Sequence, residues 1–249
     1  MFNPDTRNRI REHILQLAAT DPRVVGGAEV GSMARGEGDR WSDLDLTFAS
    51  RDDLSPAEVL EDWTGNLVQA LQAVKLFDLT SGPSLYRVFL LPGCLQVDLS
   101  FTPASKFGAT GSNFHLLFGK AMERPFPPVP PAEEMFGYSV HHILRARFSM
   151  ERGRPWQAEY WIHEARDSAL HLACRNRGLP SVHGRGFDAL PVEVRDRFKG
   201  ALAASLERGE LLRALRCVTE GLMEETGEVP EMASRVEPAL RDLMTWQDG

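Results

Sequence analysis

The chain changes character near its middle: apolar positions that alternate with polar ones give way to apolar positions spaced three and four apart. Ile10, Ile14, Leu15, Leu17 and Ala18 form a one-sided stripe that predicts a helix from about Asp5 to Ala19. Val24, Val25, Ala28 and Val30 predict a first strand. Leu44, Leu46 and Phe48 alternate with Asp43, Asp45 and Thr47, a half-buried strand with its carboxylates on the open face. Ser55-Pro56-Ala57-Glu58 has the form of a helix start, with Ser suited to capping and Pro to the first turn; that helix runs to about Ala73. Strands are predicted at Leu76 to Leu79, Leu85 to Leu91 and Leu95 to Phe101, the last two joined by a turn at Pro92-Gly93.

Beyond Pro125, Pro127, Pro128, Pro130 and Pro131, a stiff connection, the strand signal stops. Helical spacing covers Met135 to Met150, Trp156 to Arg177, Val192 to Leu206, Glu210 to Glu225 and Glu231 to Trp246. Ser181 to Pro191 is left as the one extended loop. The pattern therefore predicts an α+β module over residues 1–120, followed over 121–249 by an all-α helical bundle.

Composition narrows the function classes. With 43% hydrophobic and 25% charged residues in 249, the chain reads as a globular protein with a substantial core. A formal net charge of −7 argues against a broad nucleic-acid-binding face, which needs clustered Lys and Arg. Cys94, Cys174 and Cys217 are odd in number and widely spaced, which fits reduced thiols in a cytoplasmic protein rather than a disulfide framework or a zinc site. The polar start, Met1 to Arg9, has no signal-peptide core, and no apolar run approaches the roughly 20 residues of a membrane span.

The candidate chemistry sits where the first strand ends. Gly31-Ser32-Met33-Ala34-Arg35-Gly36 is a small-residue turn, followed by Ser42-Asp43-Leu44-Asp45. Asp43 and Asp45 share a face of one strand, so their carboxylates aim at one spot. Gly31 lets backbone approach an anion without a Cβ in the way. Asp98, in Leu95-Gln96-Val97-Asp98-Leu99, lies on the polar side of a later strand. Carboxylates beside a phosphate-sized turn suit a magnesium-bound nucleoside triphosphate.

This stretch, residues 24 to 102, resembles the signature of the polymerase-β-type nucleotidyltransferases: Gly-Ser, a short loop, Asp-x-Asp, then a carboxylate on a later strand. No position of the motif departs from that pattern. The resemblance implies a polymerase-β-like mixed sheet with helices, with the active site in a cleft against the helical, acceptor-binding part. It implies two Mg²⁺ ions bound by Asp43, Asp45 and Asp98, with ATP as donor. Gly31 and Ser32 would bind the triphosphate, and Arg35 would either touch phosphate or hold the loop by pairing with a carboxylate. Asp98 would be metal ligand or proton acceptor, two roles that the sequence leaves open. The layout looks like the small-molecule branch, which includes aminoglycoside and lincosamide adenylyltransferases, so the implied acceptor is a hydroxyl of an antibiotic-like polyol or amino sugar. Nucleotidylation of a protein partner and a non-catalytic nucleotide sensor are the alternatives.

Further candidates lie outside the motif. Glu159, His163, Asp167 and His171 recur every four residues along one predicted helix. They read either as a solvated face or as acceptor-side groups, with Glu159 or His163 orienting or deprotonating a hydroxyl; a metal held by His163, Asp167 and His171 is a third reading. In His183-Gly184-Arg185-Gly186, two glycines flank Arg185, which reads either as a tethered guanidinium suited to a phosphate or carboxylate or as part of an ordinary interhelical loop capped by Asp188. Lys106 and Lys120 are possible triphosphate contacts. Phe107 to Phe114 reads as a mobile loop or a plain turn. Trp41 reads as a base-stacking residue or, more commonly for such a position, a buried aromatic.

Overall fold

Asn3 opens the first helix by accepting a hydrogen bond from the Thr6 N–H at 2.8 Å, and Pro4 takes the first helical position. In the computed structural model, which describes residues 1–109, 111, 113–123 and 128–245, this helix is α1 (Pro4–Thr20). The chain divides into two compact units, Met1–Pro128 and Val129–Gly249.

The first unit is built on a six-stranded mixed sheet. Its strands are β1 (Val24–Val30), β2 (Leu44–Ser50), β3 (Val74–Ser81), β4 (Ser84–Leu91), β5 (Leu95–Pro103) and β6 (Phe114–Phe118), in the order β3-β4-β5-β2-β1-β6. Only β2 and β5 run parallel; the remaining pairs are antiparallel. Helix α2 (Pro56–Leu71) crosses between β2 and β3. Ser55 is its N-cap residue, yet its hydroxyl makes no capping bond, and Pro56 sets the first turn instead. Ile10 and Ile14 of α1 and Leu60, Trp63 and Leu67 of α2 pack with Leu44, Leu46, Phe48, Val97, Leu99 and Phe101 into one buried core. The Trp63 ring meets Phe48 and Phe101 at 5.0 Å each, and its indole N–H donates to Asp21 at 2.9 Å. The helices thus cover one face of the sheet at β2 and β5, and the alternate residues of those strands look out from the other.

The second unit contains α3 (Ala132–Glu151), α4 (Pro155–Arg175), α5 (Val192–Lys199), α6 (Arg208–Met223) and α7 (Pro230–Thr245) around its own core, centred on Phe136, Ile143, Ile162, Leu172, Leu215 and Leu222. Among the described residues its one buried carboxylate is Glu225, which accepts from Arg177 at 2.6 Å and Arg197 at 3.2 Å. Among the described residues, no helix is long and apolar enough to cross a membrane.

The α+β class and the helical second half are as the pattern predicts, and three local expectations change. The strand β6 replaces the end of the expected loop at Phe107 to Phe114, since Phe114 pairs with Val30 on the free edge of β1. The helix expected to reach Leu206 stops at Lys199: the Arg213 guanidinium takes the carbonyls of Gly200 at 2.5 Å and Leu202 at 2.9 Å, which turns the chain. The loop Ser181 to Pro191 carries two short turns of 3-10 helix, Val182–Gly184 and Phe187–Ala189. Pro125 and Pro127 of the expected connection, Thr110 and Ser112 of the expected loop, and Trp246 at the expected end of the last helix lie outside the described residues.

Candidate active site

Parallel pairing of β2 with β5 puts Asp45 directly beside Asp98. Their neighbours along each strand, Leu44, Leu46, Val97 and Leu99, are buried under the helices, so both carboxylates stand on the opposite face. Asp43 precedes β2 by one residue and joins them. Among the described residues these three form the one group of acidic, His or Cys side chains close enough to share an ion, with ligand oxygens within 4.8 Å of one another. Two unit charges at that distance repel by roughly 3–4 kcal/mol at an effective dielectric near 20. A cation is the natural relief. Burial pushes the Asp98 carboxyl above its ordinary range; the Gln96 amide, donating at 3.0 Å, opposes this, and the charge of Asp43 adds to it. Below the three, Ser100 donates to the Thr47 hydroxyl at 2.8 Å across the same two strands, so the floor of the face is polar and hydrogen-bonded.

Gly31 leaves the end of β1 with φ of +73°, a conformation that costs an L side chain. A Cβ on Gly31 would also lie 2.1 Å from Asp45 Oδ2. The phosphate-sized turn is thus pressed against the carboxylate cluster, at a distance that only glycine permits. After Ser32 comes a single turn of 3-10 helix, Met33–Arg35, closed by Gly36 at φ of +71°. This is too short to provide a helix dipole of consequence. Arg35 pairs with Glu37 at 2.6 Å, within the loop.

The segment between turn and carboxylates is stitched shut. The Ser32 hydroxyl donates to Ser42 Oγ at 3.1 Å, and Ser42 Oγ donates to Asp39 at 3.1 Å while accepting from the Asp39 N–H at 2.9 Å. The Trp41 N–H, followed by Ser42, donates to Asp39 and holds its carboxyl below the ordinary range. Arg7, buried in α1, donates to the carbonyls of Asp39 at 2.7 Å and Ser42 at 2.8 Å. Residue-type reasoning missed Arg7. Its signal was an arginine at a stripe position, three before Ile10 and seven before Ile14. Trp41 is exposed, and Arg40 lies over its ring at 4.3 Å, so it is not the buried aromatic that the commoner reading expected.

Within the second unit, the row on α4 is formed as spaced. Glu159 is half-buried and His163 is exposed. The His163 ring meets Asp167 at 3.2 Å and Arg166 at 2.6 Å. His171 packs against Phe187 at 5.3 Å, and burial lowers its pKa. His163, Asp167 and His171 do not form a metal-sized group among the described residues. Arg185 is exposed, just after the first of the two 3-10 turns. Lys106 ends the 3-10 turn after β5, and Lys120 is exposed just beyond β6.

No family model matches the chain, and no curated protein matches it. Among solved structures it is similar to an aminoglycoside 6-adenyltransferase from Bacillus subtilis, at 12% identity and a TM-score of 0.42, over 95% of this chain and 97% of that one. It is also similar to the polymerase core of TRAMP, an RNA surveillance complex, at 14% identity and a TM-score of 0.34, over 91% of this chain and 58% of that one. At these TM-scores neither likeness bears on what this chain does, and the functional reading rests on the site itself.

Proposed function

We propose that the chain is a nucleotidyltransferase that moves a nucleoside monophosphate, AMP from ATP, to a hydroxyl of a small-molecule acceptor. The observation that carries this reading is the juxtaposition of Asp43, Asp45 and Asp98 with the Gly31 turn, whose backbone comes closer to Asp45 than any side chain would allow. The sequence resemblance over the same residues supports it. Three carboxylates whose oxygens converge fit a hard, oxygen-seeking divalent cation such as Mg²⁺. When bound, two such ions would polarise the attacking oxygen and neutralise charge on the triphosphate.

The chain's own residues do the rest. Backbone at Gly31 and Ser32 binds the β- and γ-phosphates, with the Ser32 hydroxyl exchanging its bond to Ser42 for one to phosphate. The acceptor oxygen bonds to the α-phosphorus, the bond from that phosphorus to the bridging oxygen breaks, and pyrophosphate leaves. Asp98, on the far side of Asp45 from the phosphate turn, accepts the proton of the incoming hydroxyl. Arg7 and the Ser42–Asp39 bonds hold Asp43 in place while this happens.

The test is label transfer from α-phosphate-labelled ATP with Mg²⁺ to a panel of hydroxylated small molecules and to lysate proteins. Transfer to a small molecule is expected, with Asp45→Asn reducing it ~10³-fold or more. Full activity in Asp45→Asn would remove these carboxylates from the mechanism. Transfer to protein alone would mean that the acceptor is a polypeptide.

A further inference from the structure

Nucleotidyl transfer needs its attacking and leaving oxygens roughly in line across the α-phosphorus. In this sheet that line has a direction. The Gly31 turn follows β1, which flanks β2 on one side; Asp98 is on β5, which flanks it on the other. With pyrophosphate leaving on the β1 side, the acceptor enters over β5 and what lies beyond it, β4 and β3.

That ground is apolar: Val88, next to Asp98, is buried, and the open side chains lie beyond it, at Leu90 and on β3. Cross-strand pairing sets Val88 beside Asp98, Tyr86 beside Ser100 and Leu90 beside Gln96, all on the carboxylate face. One strand further, Phe77 pairs with Val88, Leu79 with Tyr86 and Val74 with Leu90. The intervening residues Arg87 and Phe89 turn the other way: Arg87 bonds Glu61 and Thr64 of α2, and Phe89 lies in the core under the helices. Phe77 is 49% exposed and Leu79 56%. Large apolar side chains rarely stand together in the open without a partner. At a strand spacing of ~4.8 Å, the exposed side chains of β3 lie two strands away, about 10 Å from Asp98. The same face holds no carboxylate on β3 or β4 to draw a polycation, because Asp78, the one acidic residue there, pairs with Arg87 on the helix side.

We infer that the β3–β4 face is the acceptor floor, and that the acceptor is a hydroxylated molecule carrying an apolar arm or ring about 10 Å from the hydroxyl that is modified, rather than a bare polycationic amino sugar. This rests on the nucleotidyltransferase reading. The floor acts on acceptor affinity and leaves the donor side alone.

The test uses the full chain, α-labelled ATP and Mg²⁺, with methyl, butyl, octyl and p-nitrophenyl glucosides and kanamycin as acceptors or as competitors of the acceptor that the panel identifies. The variant is Phe77→Ser with Leu79→Ser, whose exposed positions cost little stability; melting curves verify the fold. In the wild type, acceptor KM or inhibition constant is expected to fall with alkyl length, by up to three- to fourfold per buried CH2. The double variant is expected to raise it about tenfold or more, to flatten the dependence on length, and to leave KM for ATP within about twofold. Phe77→Leu is expected to restore most of the affinity. Transfer to kanamycin, indifferent to chain length and to the double variant, would overturn the inference while leaving the nucleotidyltransferase reading intact. A double variant that converts a dimer to a monomer by sedimentation, with acceptor KM unchanged, would make this face a contact between copies and overturn it too. Absence of transfer from the wild type to any small molecule or protein would defeat the underlying reading first.

Discussion

Gly31 and Gly36 offer a controlled pair. Both have nearly the same positive φ, +73° and +71°. An alanine at either position incurs the left-handed penalty, about 1 kcal/mol, which lowers Tm by a few degrees in a unit of this size. Their surroundings differ. A Cβ at Gly36 meets nothing within 4 Å, whereas at Gly31 it lies 2.1 Å from Asp45 Oδ2. Ordinary contact needs the Asp45 carboxylate to retreat by roughly 1 Å, and a misplacement of that size costs on the order of 10²-fold in rate. Gly31→Ala and Gly36→Ala should therefore melt within a few degrees of each other and differ about 100-fold in turnover. The assay is thermal unfolding by circular dichroism, beside kcat for nucleotidyl transfer to the acceptor found by label transfer. Gly31→Ala turnover within threefold of Gly36→Ala would refute the idea that close approach of this turn to Asp45 matters.

Arg7→Ala should cost about 2–4 kcal/mol, because two carbonyls at Asp39 and Ser42 lose a charged donor, and should lower turnover as the Asp43 loop slackens; denaturant unfolding and transfer assays read both. Asp21 is held to a pKa of about 2 by Arg23, with Trp63 adding a further bond. Its folded value is below its unfolded one, so its contribution of about 2 kcal/mol is complete above pH 5 and drains as pH falls towards 2; Asp21→Asn should flatten that part of the stability profile. Mg²⁺ at about 100 times its dissociation constant should raise stability by roughly 2.7 kcal/mol in the wild type and by far less in Asp43→Asn, read by thermal shift.

Much of the site was legible because its signals are local. The spacing of Asp43 and Asp45 fixes their common face, and the Gly31-Ser32 turn follows an apolar strand directly. What the sequence hid depends on partners distant along the chain. Asp98 was expected from the family resemblance, while spacing alone does not place it, since it lies beside Asp45 through the register of a parallel pair 53 residues apart. β6 is a short apolar run after small residues, and only the free edge of β1 makes it a strand. The helix after Pro191 has helical spacing beyond Lys199, but Arg213 claims the carbonyls there. Arg7 is a buried clamp whose role no local pattern carries, since its partners lie 32 and 35 residues away. The exposure of Trp41, likewise, is a property of the loop that Arg7 closes.

A crystal structure with Mg²⁺ and an ATP analogue whose α,β-bridge is uncleavable tests the central claim most directly. The account predicts the α-phosphate and the ions among Asp43, Asp45 and Asp98, with the terminal phosphates on the backbone of Gly31 and Ser32. A triphosphate bound elsewhere, with those three carboxylates free of metal, would contradict it.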